Sequence, residues 1–282
     1  MIYLFLTVFS MVAFMQTLRY GQQALHVYAI VAVNYVVATI AVFTVSGLQM
    51  TTMGMTIPWH PMAIGAATGV LYISHIPITL GCFRRAGVGV TVAVGGCSLI
   101  VPALAGWAVW EESMTVYRWL ALALVPPAMW IMRPGNGLRS RLTLTTDVLL
   151  IANFAASGLV YSLQKYADVY FVAENREIFK VTLFGTAALS SLLFAIYRRT
   201  PFHRRDIGAG ILLGLLNAAT LIFTLLALQV MAAVVFFPTS MCLVIGINAV
   251  TARFLWQERL KHRQYAGLIC ALIVIALINL PG

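Results

Sequence analysis

Long apolar runs, interrupted at short intervals by polar and basic residues, make up most of the chain. Their spacing predicts helices near 2–20, 28–47, 61–82, 88–109, 117–132, 147–167, 175–196, 207–228, 233–254 and 264–280. Each is close to the roughly 20 apolar residues a helix needs to cross a bilayer. Between the fifth and sixth runs, Arg133-Pro134-Gly135-Asn136-Gly137 through Arg141 gathers helix breakers and charge into one hydrated stretch. The chain therefore reads as a first five-helix repeat (1–132), a basic linker (133–146) and a second five-helix repeat (147–282).

Composition narrows the setting. Of 282 residues 61% are hydrophobic and 9% charged, with a mean hydropathy of +0.93, which leaves too little polar surface to clothe a soluble fold. The expectation is an all-α integral membrane protein of ten transmembrane helices, with no room for an extramembrane domain. The apolar stretch from Met1 to Leu18 has no basic flank and no small-residue cleavage site, so it reads as a retained first helix rather than a signal peptide. Cys82, Cys97, Cys242 and Cys270 fall in or beside apolar runs without a C-x-x-C spacing, so they read as small core residues and suggest neither a disulfide framework nor a metal site.

Sliding the sequence by 146 residues aligns the two halves without a gap. Trp110-Glu111-Glu112 then falls on Trp256-Gln257-Glu258, Arg19-Tyr20 on Lys165-Tyr166, and Ala86 and Val88 on Ala232 and Val234. Five is an odd number, so the second copy must enter the membrane inverted. The charges point the same way: Arg84, Arg85, Arg133, Arg139, Arg141, Arg198, Arg199, Arg204, Arg205, Arg259, Lys261 and Arg263 follow odd-numbered helices, whereas Arg118, Arg176 and Lys180 follow even-numbered ones. Under the positive-inside rule the first set faces the cytoplasm and both termini face away from it. The net charge of +10 is thereby assigned to loops beside anionic lipid rather than to nucleic acid.

This five-plus-five inverted pattern resembles the drug/metabolite transporter superfamily, specifically its EamA-like ten-helix members. The residues that carry the resemblance are Trp110 with Glu112, Trp256 with Glu258, and the small-residue turns Gly87-Val88-Gly89 and Ala232-Ala233. The first helix departs from the pattern, with Met15-Gln16-Thr17 where many members have Trp-Gly, and many members keep both termini in the cytoplasm. The resemblance implies export or exchange of small metabolites such as amino acids or their analogues, in a bacterial inner membrane.

Polar stripes at helical spacing mark where chemistry would sit. Asn153, Ser157, Tyr161, Gln164 and Asp168 share one face of helix six, with Lys165 beside it. Thr68, Tyr72, His75 and Thr79 share a face of helix three, next to Pro77, and Asn217, Thr220 and Thr224 share one on helix eight. Toward lipid each stripe would cost several kcal/mol, about 2 or more per unpaired group, so each must meet another helix or a water-filled cavity. Tyr72, His75, Asn153, Tyr161, Gln164, Lys165 and Asn217 are the candidate substrate contacts. Glu177 and Lys180, at the start of helix seven, can pair across three residues and are the candidate gate or coupling pair. The turn glutamates read as helix caps that complement the dipole.

No nucleotide loop, zinc signature or nucleophile-and-base spacing is present, so neither a catalytic residue, a metal nor a cofactor is assigned. The sequence reads as a secondary active transporter with a small-molecule substrate, the bilayer and protons as candidate partners, and with no requirement for a homo-oligomer. Two rivals stand beside it. One is an exchanger of anionic metabolites such as sugar phosphates or carboxylates, with His75, Lys165 and Lys180 as charge partners. The other is a membrane-embedded enzyme, which would need acid and base groups converging near His75.

Overall fold

A computed structural model describes residues 2–50, 58–98, 100–110, 114–132, 142–231, 233–257, 261–278 and 280. Among them the chain is helical, with no strand: α1 (Ile2–Ala24), α2 (Val27–Met50), α3 (Trp59–Cys97), α4 (Ile100–Trp110), α5 (Val116–Met132), α6 (Leu142–Tyr170), α7 (Ala173–Tyr197), α8 (Arg204–Val230), α9 (Ala233–Leu255) and α10 (His262–Ile278). Among the described residues, six apolar stretches are long enough to cross a membrane: Ile2–Gln22, Val27–Val45, Trp59–Val109, Thr145–Ala167, Asn175–Tyr197 and Arg204–Thr224. Thr239–Leu255 and His262–Leu277 are shorter apolar helices.

The largest departure from expectation is α3, which joins the expected third helix to the start of the fourth. The join is broken at Gly87, whose φ of 83° and ψ of 167° are non-helical. Only glycine tolerates that conformation without strain, so the chain turns a corner at the Gly87-Val88-Gly89 turn. In the second half α8 ends at Val230 and α9 begins at Ala233. The end of α7 shows how a helix here stops: Arg199 turns into positive φ (49°), and the Thr200 and Arg199 N–H groups donate to Ala195 and Ile196 at 2.9 Å, a Schellman closure made without its usual glycine.

The described residues form two compact units: unit 1 comprises Met1–Val12, Pro77–Ser162 and Thr224–Gly282, and unit 2 comprises Ala13–Ile76 and Leu163–Phe223. Unit 1 has an aliphatic interior in which Val90, Val94, Ile100, Val125, Ile245, Val274 and Ile275 are buried together. Here α10 packs along α5 and also touches α9. Small residues set the approach: a Cβ on Gly96 would lie 3.0 Å from both Ile245 and Ile275, and one on Gly158 would strike Val101 at 2.5 Å.

Unit 2 packs differently. Its α2 runs along α7, and two glycine pairs bring further helices against their backbones. A Cβ on Gly65 would come within 2.7 Å of the Phe179 carbonyl oxygen, and one on Gly69 would collide with that of Leu183. On α8, Gly210 and Gly214 approach the carbonyls of Ile30 and Asn34, at 2.9 and 2.7 Å from where a Cβ would be. Both pairs have the G-x-x-x-G spacing that lets membrane helices meet closely. Their landing points correspond too, since Val33 and Val37 under Gly210 and Gly214 are 146 residues before Phe179 and Leu183.

Candidate functional site

The polar side chains of unit 2 begin where those glycines end. One turn beyond Gly214, the Asn217 amide donates to Asn34 Oδ1 at 3.4 Å. Asn34 is only 1% exposed, and its Nδ2 has no hydrogen-bond partner among the described residues. A buried unpaired amide group costs about 1–3 kcal/mol, so Asn34 is held with unused donor capacity. Beside it in sequence, buried Tyr35 packs edge-on against Tyr72, with ring centroids 6.5 Å apart. The Tyr72 hydroxyl in turn accepts from Gln164 Nε2 at 2.9 Å.

Of the residues expected to line a site, Tyr72, His75, Gln164, Lys165, Asn217, Glu177 and Lys180 all belong to unit 2. Tyr72 and Gln164 are brought together across 92 positions of sequence. His75 follows Tyr72 on α3 and Lys165 follows Gln164 on α6, and both are half-buried. Glu177 and Lys180 form an ion pair at 2.8 Å, so this pair neutralises itself within one turn of α7. Arg19, the repeat counterpart of Lys165, is 9% exposed and donates from Nη1 to Gln22 Oε1 at 2.9 Å. It is a buried cation that the polar stripes did not single out, although the alignment with Lys165 could have.

Asn153 and Tyr161 belong to unit 1. Asn153 is 2% exposed, and its Oδ1 accepts from the Thr79 hydroxyl at 3.1 Å. With Ser157 it faces Gly95, whose missing Cβ leaves 3.8 Å to each side chain. This part of the helix-six stripe is joined to α3 by interhelical contact. Glu111, Glu112, Glu258 and Ala232, with the side chains of Trp110 and Asp168, lie outside the described residues.

Three ties connect helix ends within the units. His26, in the turn after α1, bonds Asp206 at the start of α8. The His60 ring at the start of α3 lies 5.4 Å from Phe171 in the turn after α6, and its Nε2 is 3.1 Å from the Tyr166 hydroxyl. Arg263 at the start of α10 donates to the Trp130 carbonyl at the end of α5, at 3.1 Å. Sequence reasoning missed these ties because the partners are 106 to 180 residues apart and share no periodicity. The G-x-x-x-G pairs were readable by spacing alone.

Comparison with known proteins adds the fold. No protein-family model matches the chain. An uncharacterized protein of Haemophilus influenzae is 24% identical over 216 residues, covering 74% of this chain and 72% of its own. A protein of known crystal structure overlays on 97% of this chain and 96% of its own, with a TM-score of 0.63 at 12% identity. At that identity the likeness shows a common fold across the whole chain.

Proposed function

We propose that the chain is a secondary active transporter of the drug/metabolite transporter class, EamA-like, with ten transmembrane helices in a 5+5 inverted repeat. It resides in a bacterial inner membrane and exports or exchanges small polar metabolites, amino acids or related compounds, by alternating access. The observation that carries this reading is that each compact unit draws matching parts from both halves of the sequence. Moved by 146 residues, the boundary after Val12 falls at Gly158, four residues from the one after Ser162, and the boundary after Ile76 falls at Ile222, one residue from Phe223. The pairings α2 with α7 and α5 with α10 also join repeat-equivalent helices, as expected for helices beside a twofold axis. Bodies assembled from both repeats are what alternating-access carriers move.

Parity supports the count of ten. His60 and Phe171 share one end of unit 2, so the chain between them crosses an even number of times. With α5 and α6 each crossing once, an even total is reached when the stretch from Trp59 to Trp110 turns back at Gly87 and crosses twice, as the ten-helix reading has it.

In this reading Tyr72, His75, Gln164, Lys165, Asn217 and the newly recognised Asn34 line the substrate path, and protons are the coupling ion. Asn153, bonded to Thr79, is a packing residue, and Glu177 with Lys180 stabilises the start of α7. Reconstituted into proteoliposomes and screened for uptake with and without a pH gradient, it should accumulate a small polar metabolite. His75→Ala and Lys165→Ala should each lower that transport at least tenfold at unchanged expression. Wild-type rates in both variants would remove these residues from the path.

The exchanger of anionic metabolites is favoured by one observation, the repeat-related cations of unit 2, buried Arg19 and half-buried Lys165. Inhibition of uptake by sugar phosphates but not by zwitterionic amino acids would select it.

A further inference from the structure

At one end of unit 2, three side chains that the transport reading does not use converge on a point. Asp206, in the first turn of α8, is 1% exposed. Its Oδ1 accepts the His26 backbone N–H at 3.1 Å, and its Oδ2 accepts the His203 backbone N–H at 3.0 Å. These two bonds already satisfy the usual role of an acidic residue at a helix start. Yet two imidazoles also aim at the same oxygen, with His26 Nδ1 at 3.1 Å and His203 Nδ1 at 3.3 Å from Oδ2. Their rings are stacked, centroids 5.0 Å apart and tilted by 18°.

We propose that His26, His203 and Asp206 form a binding site for a transition-metal dication of the zinc class, clamping the α1–α2 turn to the start of α8. The distances fit. Around a tetrahedral zinc with bonds of about 2.0–2.1 Å, neighbouring donor atoms lie about 3.4 Å apart, close to both Nδ1–Oδ2 separations here, and all three donor atoms lie within 4.8 Å of one another. The carboxylate is fixed by backbone N–H groups that are not themselves ligands, the kind of support that orients metal-bound carboxylates. The two histidine side chains are 47% and 64% exposed, so an ion can enter from solvent. On binding, each imidazole presents the Nδ1 lone pair and carries its proton on Nε2, and water fills the fourth position. The site joins residues 180 positions apart, so occupancy braces α8 against the α1–α2 turn. Arg204 and Arg205 flank the site and weaken its hold on a dication, which makes it an exchangeable site rather than a permanent structural one.

The test uses the full chain, purified in detergent with a histidine-free tag and stripped with chelator. Calorimetric titration with Zn²⁺ alone should give one ion per chain and a higher unfolding temperature. His26→Gln and His203→Gln, which keep the backbone bonds to Asp206, should each lower the affinity tenfold or more while eluting as the wild type does. Co²⁺ loaded into the wild-type protein gives a readout that needs no variant: visible bands of a tetrahedral nitrogen and oxygen site, without the near-ultraviolet band of a thiolate ligand. Absence of stoichiometric Zn²⁺ binding, affinity unchanged in both variants, or a thiolate band pointing to the cysteines would each overturn the proposal.

Discussion

Unit 1 and unit 2 are assembled from the same helical pattern and both bury polar side chains, but their described helix contacts differ in kind. In unit 1 branched aliphatic side chains pack around α5 and α10, with Thr79 paired to Asn153. In unit 2 helices touch backbone to backbone at Gly65, Gly69, Gly210 and Gly214, and the closeness brings Asn34, Asn217, Tyr72 and Gln164 into pairs. Lipid gives no hydrophobic drive between helices, so on the membrane reading the aliphatic contacts of unit 1 act through dispersion, and the glycine contacts of unit 2 act through close approach that also brings polar groups within reach. On the proposed transport reading, the polar groups of unit 2 are the ones that exchange partners with a substrate.

The difference can be broken from the apolar side first. Ile275→Ala, in the packed center of unit 1, should cost about 2–4 kcal/mol through the cavity it leaves, seen as a large fall in unfolding temperature in detergent. In unit 2 the corresponding weak point is a glycine: Gly69→Ala should cost about 1–3 kcal/mol, since the new methyl meets backbone that cannot step aside. Gly185→Ala, where a Cβ meets nothing within 4 Å, should be neutral or mildly stabilising on the same helix bundle. A Gly69→Ala protein as stable as Gly185→Ala would erase the distinction between the two modes of packing.

A subtler test concerns the polar pair. A double-mutant cycle on Asn34→Ala and Asn217→Ala should give a coupling of about 0.6 kcal/mol, the usual scale for hydrogen bonds between membrane helices, whereas either change alone should slow transport far more than so small a coupling explains. The smallest effect is expected outside both interiors: Arg199→Gly, at a positive-φ helix end, should raise stability by roughly 0.5–1 kcal/mol by relieving backbone strain.

How far such features could be read from sequence depends on their range. Helix positions follow local hydropathy and were legible to within a few residues, as at α2, α5, α7 and α9. The corner at Gly87 was visible as a small-residue turn, but its continuity of helix on both sides was not, because glycine conformation leaves no trace in hydropathy. Among the candidate residues, the stripe on α6 divided: Asn153 is paired to Thr79 in unit 1, whereas Gln164 and Lys165 belong to unit 2. Periodicity shows that a face is polar but not which helix it meets. His203 and Asp206 are three residues apart, but His26 lies 180 positions from Asp206, and only the folded chain brings it to them.

The inverted repeat is the claim on which the rest depends, and single cysteines at equivalent positions test it directly. In a background with Cys82, Cys97, Cys242 and Cys270 replaced, Trp59→Cys and Arg205→Cys occupy exposed positions 146 residues apart. A membrane-impermeant maleimide applied to sealed vesicles of known orientation should label the two from opposite faces, Arg205→Cys from the cytoplasmic side. Labelling of both from the same face would contradict the inversion and with it the transporter architecture proposed for this chain.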